Sequence, residues 1–363
     1  MTPARRWLLV AVVAVLVTAP TLLVTHWPAK ASDLTAVELR ARISDSAKLS
    51  WSGQAKTHGT LQVPTSSSFS GVSRLLSDQS DLRVWWRDGT HWRVDRTRAS
   101  GESDLYRYGG LVTTWRFESE KATITPHSSV RLPDDSDVLP STLAARMLAG
   151  AKPTELSRLP ARRIAGHDSP GLRLEPADPR STIRRVDIWA DEGSGLPTRV
   201  EVYAAGSGRP VLSTELTELD LSAPPESVTR FNAPEGVRLR FQRAIDDAAG
   251  ANAFAPFIPP QTLAGLERGG KIDERGAVGV YGRGPTAMIA IPLRHDVAHA
   301  LSAQLRKSKA STESNAGTSL AVGPLSVLVT FDRRGATLLA GTVTPETLDR
   351  AAADVRENGA YYR

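Results

Sequence analysis

Alternation with a period of two constrains this chain more than any other feature. Leu82, Val84 and Trp86 alternate with Arg83, Trp85 and Arg87. Trp92 and Val94 alternate with Arg93 and Asp95, and Thr113, Trp115 and Phe117 with Thr114, Arg116 and Glu118. Farther on, Val186 and Ile188 alternate with Asp187 and Trp189, and Val200 and Val202 with Arg199, Glu201 and Tyr203. Successive side chains of a strand point to opposite faces, so such runs fold as strands with one apolar face. The breaks between them are short: Asp88-Gly89, Gly109-Gly110 and Asp191 to Pro197. Turns that short join antiparallel neighbours, because a parallel crossover needs a far longer connection. The expected product is one long, curved antiparallel sheet.

Helices to cover it are few. Thr35-x-x-Glu38 fits a capping box and opens a helix in which Leu34, Val37 and Ala41, then Leu39 and Ile43, recur at helical spacing. A short turn is expected around Val72, Leu75 and Leu76, and a third helix from Ser141 to Ala149, started at Pro140 and stopped by Gly150. A curved apolar sheet with so little cover either packs solid or encloses a cavity for an apolar ligand. The candidate wall of that cleft is Leu82, Val84, Trp86, Trp92, Val94, Trp115, Phe117, Val186, Ile188, Val200 and Val202. Any one of these alone is ordinary core; only the set, on one concave side, makes a cleft.

The ends of the chain set its location and division. Trp7 to Thr25 carries no charge and would span about 28 Å as a helix at ~1.5 Å per residue. Arg5 and Arg6 precede it, which favours an inside N-terminus. Ala29-Lys30-Ala31 before Ser32 fits a cleavage site, but the apolar run is long for a cleaved signal. Residues 1–31 are therefore expected to be a signal or transmembrane anchor, with the bulk of the chain extracytoplasmic. The chain has no cysteine, which excludes disulfides, thiolate metal sites, a cysteine nucleophile and a cysteine-linked lipid. The net charge of +6 comes from arginine. An exported chain rarely meets nucleic acid, so anionic lipid headgroups are the expected attraction and no nucleic-acid partner is expected.

All eight tryptophans lie at or before Trp189, and Pro-marked stretches follow at Ser222 to Gly236 and Gly250 to Gln261. A large unit over 32–240 and a small α+β domain over 241–363 are expected. In the second, Gly276 to Tyr281 and Thr286 to Leu293 read as strands, and Arg294 to Lys307 as a helix with Val297, Leu301 and Leu305 on its apolar side. Leu325 to Phe331 and Thr337 to Val343 read as a hairpin, and a last helix starts with Thr344 as N-cap and Pro345 after it. Ser308 to Ser319 is polar and reads as a flexible stretch.

Several segments together resemble a known family. They are LRVWWRDGTHWRVDR, DLYRYGG and TTWRFES between Leu82 and Ser119, then Arg163-Ile164-Ala165-Gly166 with Gly171-Leu172-Arg173-Leu174. Val186-Asp187-Ile188-Trp189 follows, with Gly195-Leu196-Pro197-Thr198-Arg199-Val200-Glu201, and then Phe231-Asn232-Ala233-Pro234-Glu235-Gly236-Val237. Their order and spacing resemble the periplasmic lipoprotein-carrier superfamily of LolA, LolB and RseB. The resemblance implies a mainly β, α+β fold: an N-terminal unclosed antiparallel half-barrel with a helical lid, then a small α+β C-terminal domain as in the RseB branch. It also implies a non-enzymatic protein without cofactor. The implied partners are a lipid or acylated protein, or a membrane anti-sigma factor or other envelope protein.

Motifs for catalysis are weak. His295 and His299 share a helix face, but Asp296 stands where a zinc protease carries Glu, and no His follows downstream. Gly206-Ser207-Gly208 is not a nucleophile elbow, and Gly279, Gly282 and Gly284 lack the spacing of a phosphate loop. Asp134, Asp135 and Asp137 resemble a fragment of a calcium loop without its other ligands and are expected to form a solvated loop.

Overall fold

The computed structural model describes residues 29–61, 70–98, 101–128, 131–241, 257–258, 260–269, 278–332 and 335–361. The expected N-terminal anchor falls on residues outside these, apart from 29–31. Among the described residues no helix is long and apolar enough to cross a membrane.

Twelve strands form one sheet: β1 Trp51–Gly59, β2 Gln79–Asp88, β3 His91–Arg98, β4 Gly101–Tyr108, β5 Leu111–Arg116, β6 Lys121–Pro126, β7 Leu156–Ile164, β8 His167–Leu174, β9 Ile183–Ala190, β10 Pro197–Ala204, β11 Leu212–Asp220 and β12 Arg238–Phe241. Their order is β12-β6-β5-β4-β3-β2-β1-β11-β10-β9-β8-β7, so the sheet does not close on itself. Two meanders, β1–β6 and β7–β11, meet where β1 pairs with β11, and only β12 runs parallel to its neighbour. Gly53 sits at that junction, where a Cβ would lie 2.1 Å from the Glu218 carbonyl oxygen. No larger residue permits that approach.

Among the described residues four α-helices accompany the sheet: α1 Ala36–Asp45, α2 Ser70–Ser77, α3 Pro140–Met147 and the short α4 Glu226–Thr229. The capping box of α1 is formed: Glu38 N donates to Thr35 Oγ1 at 3.2 Å and Thr35 N to Glu38 Oε2 at 2.8 Å. Leu39 and Ile43 are its buried stripe, while Val37 and Ala41 are exposed.

The C-terminal domain adds two short pieces of sheet and one main sheet. β13 Phe257–Ile258 pairs with β22 Ala360–Tyr361, and β14 Thr262–Leu263 pairs with β15 Leu266–Glu267. Its main sheet has the order β16-β17-β21-β20-β19-β18, from β16 Gly279–Arg283, β17 Thr286–Leu293, β18 Ser311–Ser314, β19 Gly317–Val322, β20 Leu325–Phe331 and β21 Ala336–Gly341. Helix α6 Pro345–Asn358 packs Leu348, Ala351, Ala352 and Val355 on one face, against Met288, Ala290, Leu328 and Leu339. Helix α5 His295–Leu305 packs Ala298 and Leu305 on the other, against Leu320, Val329 and Leu338. Val297, expected on the buried side of α5, is 48% exposed. The stretch Ser308 to Ser319, expected to be flexible, instead supplies the β18–β19 hairpin. Gly317 makes it possible: its φ is +138°, and a Cβ there would lie 2.0 Å from the Val329 carbonyl oxygen.

The two parts are joined by backbone hydrogen bonds. Thr182 N donates to Thr342 O at 3.1 Å and Thr344 N to Arg180 O at 2.9 Å. Arg180 Nη1 adds a bond to Ala264 O at 2.9 Å.

Candidate functional site

The register of the strands decides which residues share the concave face. Leu82 lies opposite Ala55, Val84 opposite Val94, and Trp86 between Trp51 and Trp92. On the other side of β1, Val200 lies opposite Ile188 and Thr214, and Val202 opposite Val186 and Leu212. Nine of the candidate wall residues therefore face one side: Leu82, Val84, Trp86, Trp92, Val94, Val186, Ile188, Val200 and Val202. Trp51, which the sequence reading missed, joins them. Its ring stacks on Trp86 at 6.5 Å, and Trp86 stacks on Trp92 at 5.6 Å with the ring planes nearly parallel.

Trp115 and Phe117 do not belong to this wall. Val94 lies opposite Leu105 and Leu105 opposite Thr114, so β5 turns Val112 and Thr114 inward and Trp115 outward. The alternation along β5 is real, but its apolar members serve a second layer on the convex face. Phe231, in the segment that follows β11, packs there on Trp115 at 5.9 Å and on Tyr106 at 5.3 Å. Phe117 lies beyond the end of β5, in the turn to β6, and is 64% exposed.

The concave face is covered. Leu39 and Ile43 of α1, Leu75 of α2, Val138 and Leu139, and Leu143, Ala144 and Met147 of α3 form a single core with the strand residues. All nine wall residues are buried except Trp86, which is half-buried. Among the described residues the cover is three short helices and a single turn, each on its own loop, and α3 packs over β10.

Ion pairs pin this lid. Asp134, Asp135 and Asp137 form no solvated loop; they shape a turn over Asp135–Val138 in which Asp135 and Asp137 are buried. Arg131 Nη1 donates to Asp137 Oδ2 at 2.7 Å, and Arg146 Nη2, from α3, to Asp137 Oδ1 at 2.5 Å. Arg96 reaches across from β3, its Nη1 donating to Asp135 Oδ1 at 2.6 Å. Arginine therefore supplies the positive charge that these buried carboxylates require. Burial pushes Asp134 up to about 6 against the pull of Arg131, and the charge of Asp137 adds to the rise.

His295 and His299 are exposed on α5, where His299 stacks on Phe331 at 4.8 Å and Asp296 pairs with Arg294 at 3.1 Å. Both rings and the carboxylate thus have structural partners.

The whole arrangement has a counterpart among solved structures. The complex of Pseudomonas aeruginosa MucA and MucB matches with a TM-score of 0.50 at 15% identity, covering 90% of this chain and 99% of that one. This chain has the MucB fold. The likeness to MucB takes in the half-barrel and the C-terminal domain together, and it bears out the resemblance to the LolA and RseB superfamily at the level of fold. A LolA superfamily protein from Nitrosomonas europaea aligns at 14% identity over 55% of this chain and 98% of its own, with a TM-score of 0.27. An uncharacterised conserved protein from Thermus thermophilus aligns at 10% identity over 57% of this chain and 99% of its own, with a TM-score of 0.36. No family model matches the sequence, and no curated protein does.

Proposed function

We infer that this chain is a non-enzymatic, extracytoplasmic binding protein, tethered by residues 1–31, whose half-barrel admits an acyl chain of a lipid or acylated protein when its lid lifts. The observation that carries this is the make-up of the concave face. It is largely aliphatic and indole, with the buried Thr57 and Thr214 among these side chains, yet its cover among the described residues is a set of separate short helices rather than a second sheet. Such a cover can leave piecewise, and an acyl chain would replace the buried leucines and Met147 with similar apolar contact. The half-buried Trp86, between Trp51 and Trp92, is the natural entrance.

A second reading makes the chain a sensor that engages a membrane anti-sigma factor or another envelope protein. The filled concave face favours it, since a packed half-barrel needs no ligand. MucB itself was solved with MucA, and the same class of partner is proposed here.

A fluorescent fatty acid offered to the full-length chain tests the first reading. Saturable binding is expected. Trp86→Ala should weaken it about tenfold, which corresponds to ~1.4 kcal/mol of lost apolar contact. Trp115→Ala, on the opposite face, should leave affinity within about twofold while lowering the melting temperature. Equal loss of binding in both variants would contradict the assignment of faces, and no saturable binding by the wild type would contradict the reading itself.

A further inference from the structure

The convex side of the β3–β4 hairpin gathers acid with too little base. Asp95 and Asp104 lie opposite each other across the hairpin, and Glu102 falls on the same face. The two aspartates are each 4% exposed. One oxygen from each of the three carboxylates lies within 4.8 Å of the others. Arg93 answers part of this charge, its Nε donating to Asp95 Oδ1 at 2.6 Å and its Nη2 to Asp104 Oδ2 at 3.1 Å. Tyr106 Oη donates weakly to the same Oδ2 at 3.4 Å. Arg83, opposite Asp95 on β2, is exposed and lies over the Trp85 ring.

Asp104 Oδ1 is different from the other oxygens. It is buried and accepts no hydrogen bond. Folded proteins leave few buried polar atoms unanswered, because each one forfeits its hydration without return. A carboxylate oxygen in that state, on a side chain that stands beside two more carboxylates, calls for a cation rather than a hydrogen-bond donor. Three carboxylates against the one half-buried guanidinium that bonds them leave two negative charges, which is the charge of one divalent ion.

Coordination habit selects among such ions. Calcium takes oxygen ligands at ~2.3–2.6 Å in flexible geometry, whereas magnesium, at ~2.0–2.1 Å, demands a near-ideal octahedron and keeps several waters. Three protein carboxylates gathered within 4.8 Å of one another suit calcium better. We propose that Asp95, Glu102 and Asp104 form a calcium site on the convex face, with Arg93 as its inner electrostatic wall. Tyr106, two residues after Asp104, packs on Phe231, so the ion would also stiffen the face on which the segment after β11 lies. The site is on the side of the sheet away from the acyl cleft and does not depend on that proposal.

Calcium added to the metal-stripped full-length chain tests it, by titration calorimetry and by thermal melting. One ion per chain is expected, with a Kd of about 10⁻⁴–10⁻³ M as in extracellular calcium modules, and a higher melting temperature in excess calcium than in chelator. Magnesium should raise the melting temperature less. Asp104→Asn should abolish the heat and the shift. Glu102→Gln, at the half-buried rim, should weaken binding about tenfold with little change in the melting temperature of the metal-free chain. It decides the matter if the aspartate variant does not fold. Absence of both heat and shift in the wild type would overturn the site, as would binding that Glu102→Gln leaves unchanged. Tighter binding of magnesium than of calcium would overturn the choice of ion.

Discussion

Val200→Arg is expected to cost the half-barrel its cooperative fold rather than merely obstruct it. Val200 is 0% exposed, in the middle of β10, flanked by Ile188 and Thr214 and covered by α3. An arginine there would stand fully buried among the apolar side chains of the core. Leaving a charge buried and unpaired costs about 3–5 kcal/mol, and the added volume costs ~1–3 more. Domains have only ~5–15 kcal/mol in total. Thermal melts by circular dichroism should show a fall of at least about 10 °C or no transition at all. Val200→Ala, which removes volume without adding charge, should melt between this variant and the wild type. A Val200→Arg protein that melts like the wild type would mean that the concave face is open to water at this point.

Arg96→Ala should loosen the lid while sparing the rest of the sheet. Arg96 continues the inward row of Trp92 and Val94, and its guanidinium ends on Asp135 of the lid. Both side chains are largely buried, at 13% and 12% exposure, so solvent screens the pair little. Asp135 keeps other contacts, which limits the loss to about 2 kcal/mol for one charged hydrogen bond. That amount makes opening of the lid about thirtyfold more frequent. Hydrogen exchange should therefore quicken by about that factor in α3, with β8 and β9 unchanged, and a fluorescent fatty acid should enter faster. Exchange that rises equally everywhere would mean that the lid and the sheet open only as one.

The contrast between β5 and β10 explains how far the sequence could be read. In β9 and β10 the alternating apolar residues face the main core, so Val186, Ile188, Val200 and Val202 are placed correctly by period alone. In β5 the same period is present, but a second apolar layer exists on the convex face, built from Phe231 far along the chain. Period fixes that Trp115 and Thr113 share a face; only pairing with β4 fixes which face. β1 was invisible for a different reason. Its inward residues include Gly53, Ala55 and Thr57, chosen for close approach at the junction of the meanders, and they leave little hydrophobic signal.

Local signals survived best. The capping residue Thr35 acts on amides within the next turn, as does Thr344, whose Oγ1 accepts from Thr347 N at 3.3 Å. Charge was the least legible. Asp135 and Asp137 look like solvated residues until the fold brings Arg96, Arg131 and Arg146 to them. The β18–β19 hairpin was hidden likewise, because β18 is an exposed edge strand with no apolar side to show.

Native mass spectrometry of the full-length chain, purified gently from its own host, tests most directly whether the half-barrel takes an acyl ligand. A fraction of the protein is expected to carry one added mass in the range of a lipid or acylated peptide, released on denaturation and diminished in Trp86→Ala. A chain that carries only its own mass, and remains so after incubation with fatty acid, would contradict the acyl-binding proposal and leave a packed half-barrel that works through contact with another protein.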